Sequence, residues 1–233
     1  MAGEDTLGMD DVAALDGFFG LATGPAEGVD PSWRPFHEFT GDVLDQRIDQ
    51  VADQLGGVPR RIAGSLLSLS VSARITALLL GTGSLHGTVP RLHDRLYWRP
   101  WSGGPAPLWI ERPEAVPHDD ELPAAAAREL DATLRPVLDA VSLQASVSAQ
   151  VTWGNVASSL GGALRMLLTQ RPEQSTAALT LAVGMTAEPP LAGLGGFVEE
   201  PSHPTGVGFA RKTCCLFYRV PGGGTCGDCV LDR

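Results

Sequence analysis

The sequence predicts an α+β fold: a mostly helical domain with a small antiparallel hairpin, followed by a compact four-cysteine module at the C-terminus. Three observations lead there. Apolar residues recur at helical spacing through much of residues 40–185, β-prone aromatic residues flank a tight turn near residue 103, and all four cysteines fall in the last twenty of 233 residues. A chain of this length buries a core without disulfides or a structural metal. Its composition, 43% hydrophobic and 19% charged, is that of a folded globular protein. The division is placed at residue 205, with a helix-rich scaffold over 1–205 and the cysteine module over 206–233.

The first forty residues read as loosely structured, with one short helix over Asp11 to Phe19. Thr40 stands at an N-cap, Val43, Leu44, Ile48, Val51 and Leu55 follow at helical spacing, and Gly56-Gly57 closes the run. A second helix is expected from Pro59 to Gly81, with Leu66, Leu67, Val71, Ile75 and Leu78 toward the core. Tyr97, Trp98 and Trp101 lie before, and Trp109 and Ile110 after, a Ser-Gly-Gly-Pro turn, which predicts two short strands joined as a hairpin. A further helix starts at Leu122-Pro123 and runs to Leu138, with Pro136 expected to bend or end it. Val151 to Leu168 is expected to be helical over its second half, and Leu179 to Met185 continues the apolar pattern. Glu188 to Gly208, rich in Pro and Gly, reads as a connector.

Several function classes are excluded or weakened at this stage. A net charge of −10 and a pI near 4.9 do not suit a nucleic-acid binder, which needs a basic stripe, nor docking on an anionic membrane. Lys212 is the single lysine and lies outside any phosphate-binding loop. The acidic N-terminus lacks the pattern of a signal peptide, and the most apolar stretch, Leu66 to Leu80, is interrupted by Ser68, Ser70, Ser72 and Arg74. A cytoplasmic protein without an integral membrane segment is therefore expected. The glycine clusters at 81–87 and 193–196 lack the strand–turn–helix setting of a dinucleotide site and are assigned to loops. None of His37, His86, His93, His118 and His203 has metal-ligand spacing, and His203 is read as a solvated loop residue. Ser65, Ser158 and Ser159 lack a nucleophile-elbow setting. Asp119, Asp120 and Glu121 read as a solvated turn before a helix.

The cysteines are another matter. Cys214, Cys215, Cys226 and Cys229 form the pattern C-C-x10-C-x2-C, a complete four-thiolate set for a [2Fe–2S] cluster or one zinc. Leu216 to Val220 is β-prone, and Pro221-Gly-Gly-Gly224 is a turn that returns the second pair of cysteines to the first. Adjacent side chains of an extended strand point to opposite faces, so Cys214 and Cys215 suit a two-iron cluster better than one ion. A local bend would readmit zinc, and thiol redox chemistry stays a third reading. From residue 201 on, Arg211, Lys212, Arg219 and Arg233 face only Asp228 and Asp232, a net +2 that leaves −12 on the remainder. These cations either offset the charge of an anionic cluster or form a solvated face.

The run FARKTCCLFYRVPGGGTCGDCVL, Phe209 to Leu231, closely resembles the C-terminal module of FhuF-type siderophore-iron reductases. The stretch Trp153-Gly154-Asn155-Val156-Ala157 and the Pro190-Leu-Ala-Gly193 segment extend the resemblance more weakly into the scaffold. It implies a cytoplasmic [2Fe–2S] protein that reduces Fe(III) held by a siderophore, typically a hydroxamate, with Cys214, Cys215, Cys226 and Cys229 as cluster ligands. The electron donor is then an external ferredoxin or flavodoxin, because no flavin or nicotinamide motif is present. Two other classes use the same cysteines: a non-enzymatic iron–sulfur carrier or regulator, and a zinc-stabilised binding module. The scaffold becomes the substrate platform. Trp98, Trp101, Trp109 and Trp153 are read first as core filler and second as an aromatic docking pocket, with acidic residues suited to a cationic ferric complex.

Overall fold

The computed structural model describes residues 7–25, 30–117 and 121–232. His118, Asp119, Asp120, Arg233 and the first six residues lie outside that range. The described residues form six α-helices: α1 (Met9–Ala13), α2 (Gly41–Gln54), α3 (Arg60–His86), α4 (Leu122–Gln144), α5 (Ala149–Gln170) and α6 (Ser175–Ala187). Strands β1 (Ala22–Thr23), β2 (Arg34–Pro35), β3 (Leu96–Trp98) and β4 (Leu108–Ile110) form one sheet in the order β1-β4-β3-β2. A second sheet pairs β5 (Gly195–Glu199) with β6 (Val207–Arg211). The architecture is thus α+β and mostly helical.

Helix α3 is the axis of the molecule, with α2, α4, α5 and α6 around it and α5 its most extensive partner. Leu67, Val71, Ile75 and Leu78 are buried, as their spacing predicts. The helix runs on past Gly81 to His86, which corrects the loop assignment for residues 81–86. Helix propensity disfavours glycine, but close packing requires it here. A Cβ on Gly81 would lie 2.9 Å from Val12, and one on Gly83 would lie 2.4 Å from Leu181. Only Gly87, with φ 65°, closes the helix in the left-handed region. By length and composition α3 alone among the described helices is apolar enough to cross a membrane, yet 83% of its most apolar window is buried within the protein.

The predicted hairpin is present, with Leu96 opposite Ile110, Tyr97 opposite Trp109 and Trp98 opposite Leu108. The N-terminal segment supplies its flanking strands: β2 runs antiparallel to β3 and β1 parallel to β4. The expected helix over 11–19 is split between α1 and a short 3-10 turn at Gly17–Phe19. Buried Arg74 pins this region to α3 through the carbonyls of Phe18, Gly20 and Ala106.

Three further expectations are corrected. Helix α4 continues through Pro136 to Gln144, because Pro136 faces solvent while Leu134, Val137, Leu138 and Val141 hold the inner face in the core. Helix α5 spans the whole of the predicted apolar run, so Trp153-Gly154-Asn155 is helical. The segment 188–208 is more than a connector: it contributes β5, which pairs residue for residue with β6 from Gly195–Arg211 to Glu199–Val207. The two strands are consecutive and joined by the turn over residues 200–206, so the Pro- and Gly-rich composition hides a hairpin.

Candidate metal centre

Strand β6 lies directly on α5 because α5 carries glycine where the chain crosses it. A Cβ on Gly161 would lie 2.7 Å from Phe209, and one on Gly154 would lie 1.9 Å from Thr213 Oγ1. Beyond β6 the chain leaves the extended conformation. Leu216 takes a left-handed backbone (φ 68°), and Phe217–Arg219 forms a 3-10 turn. The strand expected over Leu216 to Val220 is therefore absent. A continued strand would carry the chain away from its own second cysteine pair, whereas this reversal begins the return. The turn Pro221 to Gly224 completes it, with Gly222 (φ 73°) and Gly224 (φ 71°) in the region that favours glycine.

This path brings Cys215 Sγ and Cys226 Sγ to 3.5 Å of one another. All four thiols are free of disulfides. Cys215 and Cys229 are buried, while Cys214 and Cys226 are partly exposed and present an edge to solvent. The Leu216 N–H donates to Cys214 Sγ and the Leu231 N–H to Cys229 Sγ, both at 3.4 Å. The hydrogen bond from Cys226 lowers the Cys215 thiol to about 6, helped by the Phe217 N–H and the Arg211 charge. The same bond pushes Cys226 up. Among the described residues, no three His, Cys, Asp or Glu side chains converge as ligands of a single ion.

Beneath the sulfurs lies a polar layer that sequence reasoning missed. Arg211 is buried at 4% exposure, and its Nη2 donates to Asn155 Oδ1 at 2.6 Å. The Asn155 amide in turn donates to the Ser65 carbonyl at 2.8 Å and to Ser68 Oγ at 3.0 Å. Ser65 Oγ donates to the Cys215 carbonyl at 2.8 Å. Ser158 Oγ donates to the Asp228 carboxylate, and Arg211 Nη1 reaches Ser158 Oγ at 3.4 Å. Two helices thus hold both halves of the cysteine loop: Ser65 grips the first pair and Ser158 the second. Of the four cations counted toward cluster charge, Arg211 is buried under the site. Lys212 is exposed, and the Arg219 guanidinium stacks on Tyr218. The signal available in sequence was a set of serines and one asparagine inside otherwise apolar helices.

The other sequence candidates go elsewhere. His203 takes its hydrogen bonds from Thr205 within the β5–β6 turn. Trp109 is buried, bonding the Gly24 carbonyl at 2.8 Å, and Trp153 is buried with the Arg135 guanidinium over its ring. Trp98 is likewise buried in the core, with Trp101 packed partly exposed against it, and both also line a cavity. A buried carboxylate, Glu129, accepts the N–H groups of Leu92 and His93 and pins that loop to α4.

Four free thiols thus sit on a glycine-closed loop above a buried cation, held against α3 and α5. Residues 211–231 match the family model for the FhuF 2Fe-2S C-terminal domain. The module is thus of FhuF type, and its cofactor is a [2Fe–2S] cluster. No curated protein matches the chain.

Proposed function

We propose that the protein is a cytoplasmic ferric-siderophore reductase whose cluster is held by Cys214, Cys215, Cys226 and Cys229. The donor set suits the group. Metal–sulfur bonds of about 2.3 Å in tetrahedral geometry separate two thiolates on one metal by about 3.8 Å. Cys215 and Cys226, at 3.5 Å, stand at nearly that spacing. Zinc would need the other two sulfurs at the same centre, whereas a two-iron cluster divides four ligands between two metals. Backbone N–H groups directed at Cys214 and Cys229 are the kind of hydrogen bond that stabilises anionic sulfur.

When bound, the cluster supplies one-electron chemistry. That is sufficient for iron release, since hard oxygen donors hold Fe(III) far more tightly than Fe(II). The balance is one electron from a reduced ferredoxin- or flavodoxin-type protein, with siderophore-bound Fe(III) becoming Fe(II). The chain's own residues need no nucleophile or proton donor. Arg211 stabilises negative charge at the module, the Ser65 and Ser158 bonds fix the loop, and the partly exposed Cys214–Cys226 edge admits a docking partner.

The observation that carries this reading is the four-thiol loop over the buried Arg211. Its test is to mix dithionite-reduced protein, freed of excess reductant, with a ferric siderophore and an Fe(II)-trapping chelator. Reoxidation of the cluster with matching Fe(II) capture is expected. A cluster that stays reduced while Fe(III) stays bound would leave an electron carrier or regulator, not a reductase.

A further inference from the structure

A cavity of about 670 Å³ opens between α2 and the β3–β4 turn. Its size is that of a small-molecule site. Phe39, Trp98 and Trp101 form its aromatic wall, while Arg34, Arg47 and glutamines of α2 supply polar groups. Not one carboxylate lines it, although the protein as a whole carries −10. The acids Asp45 and Asp49 of α2 are engaged by Arg60 outside the cavity.

The guanidinium groups here have no carboxylate partner among the described residues. Arg47, 8% exposed, stacks over Trp101 at 4.5 Å and makes one side-chain hydrogen bond, from Nη1 to Gln50 Oε1 at 3.2 Å. Arg47 Nε, Trp98 Nε1 and Trp101 Nε1 have no acceptor. Burial alone lowers the Arg47 pKa, the mark of a cation without a compensating charge. The cavity therefore carries excess positive charge beside an aromatic wall of tilted rings, and three buried donors around it are left without an acceptor. Its lower end is also close to the cysteine module. Gln54, which lines it, lies two residues before Gly56, where a Cβ would stand 4.0 Å from Pro221 of the glycine turn.

We propose that this cavity binds the ferric siderophore, and that it selects a carboxylate-bearing complex of net negative charge. The identity of the occupant rests on the reductase reading; the charge preference rests on the cavity alone. Carboxylates match the planar fork of arginine, and the glutamine amides add further donors. The aromatic wall accepts the apolar arms of the chelator. The sign is opposite to the cationic complex that the acidic composition suggests, because the acids are not where the cavity is. Specificity follows local charge, not net charge.

The test uses redox-inert gallium(III) complexes with the cluster-loaded protein, read by calorimetry. One probe is the gallium complex of a citrate-based dihydroxamate whose arms carry free carboxylates; the other is that of a linear trihydroxamate without them. The first should bind at least about tenfold more tightly. Arg47→Gln should abolish that preference, and Arg34→Gln, at an exposed position, should reduce it without disturbing the fold. Equal binding of the two complexes would overturn the assignment, as would an unchanged preference in both variants. Because gallium is not reduced, the outcomes separate. Selective gallium binding without reduction of the iron complex defeats the reductase reading, while iron reduction with no arginine-dependent gallium binding defeats the cavity.

Discussion

Helices α3 and α5 pack extensively on one another and bury Leu67, Val71, Val156, Leu160 and Leu164 in the apolar core. Under the cysteine module the same helices present Asn155 and Ser158 to a buried arginine, with Ser65 and Ser68 accepting from the Asn155 amide. The first interface is held by burial, which is tolerant of direction. The second is held by hydrogen bonds, which set the position of each half of the loop but depend on every partner being present. Stability and placement are thus assigned to different parts of one helix pair. The scaffold should fold without its cofactor, and the module should be sensitive to single changes beneath it.

The largest effect expected is at the sulfurs. Cys226→Ser should abolish cluster assembly, seen as loss of iron and visible absorbance, while the helical circular dichroism and its thermal transition persist. A scaffold that melts with the cluster would erase the distinction between the regions. Next is Gly154→Val, which places side-chain atoms where Thr213 sits. Cluster occupancy should fall severalfold with the helical content kept. Arg211→Gln removes the cation under the module and should lower the midpoint potential by tens of millivolts, where about 59 mV corresponds to a tenfold equilibrium change for one electron. Arg211→Lys, keeping the charge, should restore most of it; equal potentials in all three proteins would deny Arg211 its electrostatic role. The smallest change is Gly162→Ala, on α5 where nothing lies within 4 Å of an added Cβ. It should stabilise the scaffold by about 0.5–1 kcal/mol in thermal or denaturant unfolding and leave the potential unchanged.

Legibility follows the same division. Features written in neighbouring residues are readable: Gly56-Gly57 ends α2, the Ser-Gly-Gly-Pro turn joins β3 to β4, and the cysteine spacing marks the module. Features created by distant contacts are not. Gly81 and Gly83 look like loop residues until Val12 and Leu181 are seen against them. Leu216 to Val220 has strand propensity, but the reversal toward Cys226 overrides it. Arg211, Asn155 and Ser65 lie far apart in sequence, and nothing local in any of them announces a shared network. The tryptophans show the limit most sharply: Trp98 and Trp109 are both buried, but Trp98 also borders a cavity that its sequence surroundings do not announce.

We propose that Cys214, Cys215, Cys226 and Cys229 together hold the two-iron cluster on a scaffold that folds without it. The most direct test is the metal and acid-labile sulfide content of the anaerobically purified protein, with its electron paramagnetic resonance after reduction. The protein should be red-brown with equal iron and sulfide, about two of each per chain, and a one-electron signal on reduction. A colourless protein containing one zinc per chain would contradict it.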